Sequence, residues 1–218
     1  MTTSVPLSGR RAQAARNDEV ILDAAREVFV ADPAAPIAAV AQRANVGISA
    51  LYRRYRSKEE LLQKLCADGL DVYNECAQAA NDALDAGHDP VRVFTDFVYR
   101  VVDADTHSLT IRLAGTFHPT EVHARGAERA GALNLRLVDL LQAAKVLRPD
   151  IVVADLGQIF EMVAAITFGD DERRAQLRHR YAALLLDGML RPRSGDPLPG
   201  PPPYVGEFAS RWDVPDGS

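Results

Sequence analysis

Apolar residues recur at intervals of three and four along most of this chain, and alternation at every second position is sustained nowhere. The first such run is Ile21, Ala24, Ala25, Val28 and Phe29. Entered through Asn17 as a cap, with Asp18 and Glu19 in the first turn, it predicts an amphipathic helix over roughly 17–31. Pro33 ends that helix. Pro36, tolerated at a first helical position, opens the short helix PIAAVAQRA, which sets Ile37, Val40, Ala41 and Ala44 on one face. Asn45 permits the left-handed backbone of a tight turn. A third helix runs from about Gly47 to Tyr55, and Ser57 with Glu60 three residues on forms the capping box of a fourth. Helix, short helix, three-residue turn, short helix is the helix-turn-helix order.

From residue 57 the pattern stays helical to about 190, in spans of 57–86, 89–104, 106–117, 119–147, 152–168 and 171–190. Gly87, Pro90, Pro119, Pro149 and Gly169 punctuate them. The tail RPRSGDPLPGPPPYVGEFASRW cannot continue a helix and is expected to be extended, either loose or laid along the surface. No internal repeat is present. The expected fold class is all-α, with three N-terminal helices and six more behind them. The domain plan is a flexible basic arm (1–16), a helix-turn-helix domain (17–56), a helical domain (57–190) and a Pro/Gly-rich tail (191–218).

Composition changes this picture little. A chain of 218 residues with 47% hydrophobic and 25% charged residues is ordinary for a globular protein. Cys66 and Cys76, ten residues apart on one helix, stand ~15 Å from each other, too far for a disulfide, and suggest buried thiols in a reducing compartment. No secretory leader or membrane span is read, so a cytoplasmic protein is expected. Charge is more informative. Residues 1–64 hold ten Lys and Arg against seven acids, a net of +3, so the remainder carries −8 of the total −5. A basic front on an acidic body suits a polyanion binder.

That front concentrates in VGISALYRRYRSKEEL. At 100° per residue Ile48, Leu51, Tyr52 and Tyr55 fall on one side of the third helix, and Ser49 with Arg53, and Ala50 with Arg54, fall on the other. Small side chains at the N-terminal end allow close approach to base edges in a major groove, while the arginines and Lys58 meet phosphates or guanine edges. Tyr52 lies at the boundary, its ring packed and its hydroxyl in reach of a phosphate.

The stretch IAAVAQRANVGISALYRRYRSKEELL resembles the DNA-binding segment of TetR/AcrR-family transcriptional regulators. Val40 and Ala41 stand for the family's IA pair, Val46 for its turn valine, Leu51 and Tyr52 for its LY pair, and Tyr55 for its aromatic. Ser57, Lys58 and Leu61 stand for the segment opening the fourth helix. The departures are Asn45 for a glycine, Gly47, Ser49 and Ala50 where Ser, Gly and Thr are common, and Arg54 for a frequent histidine. A thymine methyl is then the expected partner of Ala50. The resemblance implies an all-helical homodimer of about nine helices per subunit, whose C-terminal domain binds small molecules and dimerises. The DNA-contacting set is Ile48, Ser49, Ala50, Tyr52, Arg53, Arg54 and Lys58. Arg10 and Arg11 form either a minor-groove arm or a disordered extension.

Within VRVFTDFVYRVVDADTHSLTIRLAGTF, Phe94, Phe97, Val98, Val101, Leu109, Leu113 and Phe117 offer an apolar lining, with His107 and Arg112 as polar handles. The resemblance implies a ligand chamber between the fourth and seventh helices, enclosed also by Tyr73, Leu137 and Phe160. The other reading is that these residues fill a core. The segments VADLGQIFEMVAAITF and QLRHRYAALLLDGML are apolar on more than one side, which suggests a two-fold interface through Phe160, Ala164, Tyr181 and Leu185.

His118 and His123 lack the spacing of two metal ligands on one helical face, and no phosphate loop, nucleophile elbow or zinc signature occurs. No metal, cofactor or enzymatic activity is therefore expected. The reading is a DNA-binding transcriptional regulator, by resemblance a repressor, that binds a palindromic DNA operator as a homodimer and is released by a small apolar effector. The helix beginning at Ser57 is the expected lever between the two events. The alternative is a helical ligand-binding module without transcriptional output.

Overall fold

The computed structural model describes residues 9–190, 198–203 and 206–207. Among the described residues every regular element is a helix: α1 (Gly9–Ala31), α2 (Ile37–Arg43), α3 (Ile48–Arg54), α4 (Lys58–Asp85), α5 (Pro90–Ala104), α6 (Thr106–Leu113), α7 (Glu121–Ala143), α8 (Val153–Ala164) and α9 (Asp171–Leu190). The chain forms two compact units, Met1–Leu65 and Cys66–Ser218, so the division falls inside α4 and not at its Ser57 cap. The reason lies in the first turns of α4, where Leu61, Leu62 and Leu65 are buried.

In the N-terminal unit α1 begins at Gly9, not at Asn17, so residues 9–16 are helical where a flexible arm was expected. The segment RRAQAAR consists of good helix formers with no proline, and nothing in it stops the helix short. Residues 1–8 of that arm lie outside the described residues. Pro36 is the N-cap of α2, with extended backbone, and not its first helical residue. Asn45 takes φ 52, and the bonds Asn45 N–H to Gln42 O and Val46 N–H to Ala41 O close α2 with a left-handed residue in place of glycine. Ser57 Oγ accepts from Glu60 N, while the Glu60 carboxylate reaches the amide of Arg56, one residue before the cap. The buried residues of this unit include Ile21, Ala24, Ala25, Phe29, Val40, Leu51 and Tyr55.

Asp18 ties α3 to α1. Arg54 donates through Nε and Nη2 to its two carboxylate oxygens at 2.7 and 2.6 Å, and Tyr55 Oη donates to Oδ1 at 2.7 Å. These bonds, the guanidinium's foremost, hold the Asp18 carboxyl below its ordinary value.

In the C-terminal unit Tyr73, Phe94, Phe97, Val98, Val101, Leu137, Leu141, Leu156, Phe160, Val163, Ala182 and Leu186 share one core. The α4–α7 seam is polar as well: Asn74 Nδ2 donates to Gly126 O, and Asn81 Nδ2 to Ala77 O and Leu133 O. At Gly126 the two helices are close, since a Cβ there would sit 3.3 Å from Leu70 Cδ1. Several helices end earlier than the hydrophobic pattern suggests. Here α6 stops at Leu113, before a turn with Gly115 at φ 75. Lys145 at φ 59 follows the end of α7 in left-handed backbone, and α8 stops at Ala164. Apolar residues beyond these ends, such as Phe117 and Leu147, are buried from loops, which hydrophobic spacing cannot distinguish from a last helical turn.

One buried cation joins four segments. Arg178 of α9 donates to Asp105 Oδ1 at 2.7 Å, to Ser108 Oγ, and to the carbonyls of Ala164 and Ile166. Asp105, at φ 49, is the left-handed hinge between α5 and α6. In the tail, Leu198 N donates to Asp150 Oδ2 at 2.8 Å, which lays that point on the surface. Residues 191–197, 204–205 and 208–218 of the tail lie outside the described residues.

Two outcomes are expected. Arg178→Ala strands the Ala164 and Ile166 carbonyls and one carboxylate, and should cost roughly 3 kcal/mol, read as a lower calorimetric melting temperature of the C-terminal unit. An unchanged melt would show that the network is dispensable. Asp18→Asn should cost about 1 kcal/mol in the N-terminal unit, since the pair is largely exposed on the Arg54 side. The sign in pH follows from the lowered carboxyl. The contribution is present above the unfolded value of 3.8 and is lost as pH falls below it through the lower folded value. The wild-type advantage over Asp18→Asn should therefore vanish in acid and persist at neutrality.

Candidate DNA-binding surface and ligand-binding region

A helix of seven residues has few internal hydrogen bonds and keeps its shape by what it buries. In α3 the buried row is Leu51, with no exposed surface, and the adjoining Tyr55 at 4%. The expected inward face was wider. Ile48 and Tyr52 are instead 40% and 47% exposed and, four residues apart, stand side by side on the surface. Ile48 lies in the first turn of α3, where no earlier turn covers it. Ser49 and Arg53 are exposed beside this pair, and Ala50 is half-buried. The side chains of Ser49, Tyr52 and Arg53 make no hydrogen bond or ion pair among the described residues. They are available to a partner.

Two residues expected on DNA are engaged within the unit. Arg54 is held by Asp18 and sits 5.9 Å over the Tyr55 ring. Lys58 Nζ donates to Pro33 O at 2.7 Å and lies 5.0 Å over the Phe29 ring, tying the start of α4 to the end of α1. An exposed cation that the helical wheel did not include is Arg56. Its amide binds Glu60, but its side chain has no partner among the described residues. It follows α3 in sequence, outside the wheel, and its place in the basic run RRYRSK was the available signal.

In the C-terminal unit most of the expected chamber lining does come together. Tyr73 stands edge-on to Phe97, His107 and Phe160 at 6.0, 5.5 and 6.1 Å, His107 lies 5.0 Å from Phe160, and Phe94 stacks on Phe97 at 6.3 Å. Val98 and Leu137 complete the packing. Leu113 and Phe117 are buried outside this cluster, Phe117 against His123 at 5.5 Å, and Arg112 is exposed. The rings fill the space between them. The void that His107 and Phe160 border, with Asp105 and Arg178 opposite, is about 10 Å³, room for a single water. The polar groups are uncharged at neutral pH: burial lowers the His107 imidazole to about 4 and raises the Tyr73 phenol well above its ordinary value. Tyr73 Oη donates to Asn134 Oδ1 at 2.9 Å.

Of the residues assigned to a subunit interface, Phe160 and Ala164 are buried inside the unit, Phe160 in the ring cluster. A face already covered within one subunit cannot meet a second. Leu185 is partly covered by the core, while Tyr181 is 47% exposed and shares an outward face of α9 with Leu184 at 58%. Among the described residues no helix is long and apolar enough to cross a membrane, and no group of three metal-ligating side chains converges.

Residues 21–65, which run from the middle of α1 into the first turns of α4, match the family model described as bacterial regulatory proteins, tetR family. No curated protein matches the sequence. Among solved structures, the chain is similar to a TetR transcription regulatory protein from Mycobacterium vanbaalenii (TM-score 0.55, 25% identity, covering 83% of this chain and 99% of that one). It is also similar to the TetR transcriptional regulator SCO0520 from Streptomyces coelicolor (TM-score 0.54, 21% identity, 80% and 99% covered). A third is LfrR from Mycobacterium smegmatis, solved in complex with proflavine (TM-score 0.53, 21% identity, 78% and 96% covered). Residues 21–65 thus carry the helix-turn-helix segment of the TetR family of DNA-binding regulators, and the chain has the all-helical fold of the TetR regulators it resembles along most of its length.

Proposed function

We propose that the protein is a repressor that binds a palindromic operator as a homodimer and releases it when a small, largely apolar effector binds the C-terminal unit. The observation that carries the DNA reading is the exposed row of Ile48 and Tyr52, flanked by Ser49, Arg53 and Arg56. Two large apolar side chains facing water beside unpaired arginines suit a groove with methyl groups and phosphates. A two-fold dimer reads an inverted repeat whose half-sites are ~34 Å apart or a multiple. The effector reading is supported by the ring cluster around Tyr73 and Phe97. Its interior is aromatic, its polar groups are neutral, and a ligand must displace rings to enter. Coupling through α4, one uninterrupted helix from Lys58 to Asp85, needs ~1–3 kcal/mol to change operator affinity roughly 5- to 150-fold.

Gel-shift titrations against operator fragments at several salt concentrations test the surface. Arg53→Ala and Arg56→Ala should each weaken binding to all sequences and reduce the salt slope by about 1, and Tyr52→Phe should weaken binding to all sequences alike. Changes at Ser49 or Ala50 should alter which bases are preferred. Arg54→Ala should act mainly through melting temperature. If it lowers the salt slope as much as Arg53→Ala while the melt is unchanged, Arg54 is a phosphate ligand and the Asp18 clamp is incidental. A protein that retains no fragment selectively is a receptor module, not a regulator.

The interface is tested by light scattering. Tyr181→Glu combined with Leu184→Glu should convert a dimer to a monomer at micromolar concentration, and operator affinity should fall with it. A wild-type monomer at that concentration overturns the two-fold reading.

A further inference from the structure

Among the described residues of Cys66–Ser218, one cavity lies apart from the void at His107 and Phe160 and shares Phe97 with the ring cluster. It is an open crevice of about 750 Å³ between α4 and α5, within the range of small-molecule sites. Its floor is Cys76, Ala79, Ala80 and Ala83 from α4 with Val93 and Phe97 from α5. From Cys76 to Ala83 the floor extends ~10 Å along the helix, at ~1.5 Å per residue. Small side chains on α4 leave the space beside α5 unfilled.

The rim is charged, and its charges are unequally engaged. Asp89 caps α5, accepting from the amides of Val91 and Arg92. Asp96 stands 3.8 Å from Arg92, and Asp103 is bonded to His179 Nε2. Each acid has a partner. Arg100 has no hydrogen bond or ion pair among the described residues, although it lines the crevice with them. Its charge reaches the floor: burial raises the Cys76 thiol, and the Arg100 guanidinium opposes that rise.

We propose that the α4–α5 crevice is a binding site for an anionic amphipath, an apolar chain lying on the alanine floor with its carboxylate on Arg100. The inference goes beyond the ring-cluster effector reading by assigning a seat outside the rings and a ligand class for it, and it rests on that reading only where operator release is concerned. A carboxylate supplies the two-oxygen partner that a guanidinium fork favours, and the apolar body covers Ala79 and Ala83, the part-exposed residues of the floor. Phe97 is shared by the crevice floor and the ring cluster, so a chain seated there bears directly on the packing of Tyr73 and Phe160.

The test is calorimetry on the full chain with decanoate, decanol and decyltrimethylammonium, each below its aggregation concentration. Decanoate should bind at least 10-fold more tightly than decanol, and the cation most weakly. Arg100→Gln should remove that preference while leaving decanol binding unchanged. Ala83→Leu should reduce binding of both by 10-fold or more, with the melting temperature confirming a folded protein. Ala79→Leu is the second variant if Ala83→Leu melts early. No heat with decanoate, equal affinity for the three probes, or binding indifferent to both alanine variants each overturns the crevice site. The last of these would seat the ligand in the ring cluster. Operator is then added. Decanoate that binds as stated but leaves operator retention unchanged keeps the site and sinks the release reading. An effector that releases operator equally well from Arg100→Gln keeps the release reading and sinks the assignment of the effector to this crevice.

Discussion

A helix of seven residues cannot hold itself together in water, and everything that the N-terminal unit presents to a partner depends on that constraint. Both α2 and α3 are of this length, and each survives by burial: Ile37, Val40 and Ala41 in one, Leu51 and Tyr55 in or beside the other. Burial of one row leaves the opposite rows free, and the residues there are small, aromatic or cationic. The Asp18 carboxylate adds direction to this hydrophobic attachment. By taking both the Arg54 guanidinium and the Tyr55 hydroxyl, it sets the C-terminal end of α3 against α1. Lys58 does the same for α4 through the Pro33 carbonyl. Two cations are thereby turned into scaffolding, while the side chains of Arg53 and Arg56 have no partner among the described residues.

The C-terminal unit meets the same problem with longer helices and larger side chains. Tyr73 is its pivot, edge-on to three rings while its hydroxyl is satisfied by Asn134. Edge-to-face rings at about 6 Å gain from their quadrupoles as well as from burial. Beside the His107 and Phe160 rings the void is about 10 Å³, so a site for another molecule requires either that rings move or that it form elsewhere. Small residues on α4 supply the second possibility, since alanines beside α5 leave a crevice where leucines would close one.

Arg178 shows why a buried charge is kept where an apolar side chain would pack. Helix C-termini leave carbonyls without intrahelical partners, and the end of α8 is covered by α9. A guanidinium with five donors can serve Ala164, Ile166, Asp105 and Ser108 at once. No apolar residue satisfies those acceptors. The same fork fixes the left-handed hinge at Asp105 that separates α5 from α6.

What the amino-acid sequence determined by itself was local and periodic. Helix faces such as Ile21–Phe29 and Phe94–Val101, the cap at Ser57, and the left-handed Asn45 follow from residue type and spacing, because their physics acts within one turn of chain. The ordered motif from Val40 to Leu61 likewise named the unit that meets DNA. Tertiary structure decided what depends on residues far apart in the chain. Arg54 is bound to Asp18, 36 positions away, and Lys58 to Pro33, 25 away, so neither could be told from a free surface cation by spacing alone. Phe160 and Ala164 fit an interface and a core equally well on a helical wheel, and only the arrival of α4, α5 and α9 around α8 made them core. Of the residues expected around a chamber, Tyr73, Phe97, His107 and Phe160 do lie together. Whether such a group encloses space or fills it depends on ring distances of a few ångströms, which no pattern of hydrophobic positions encodes.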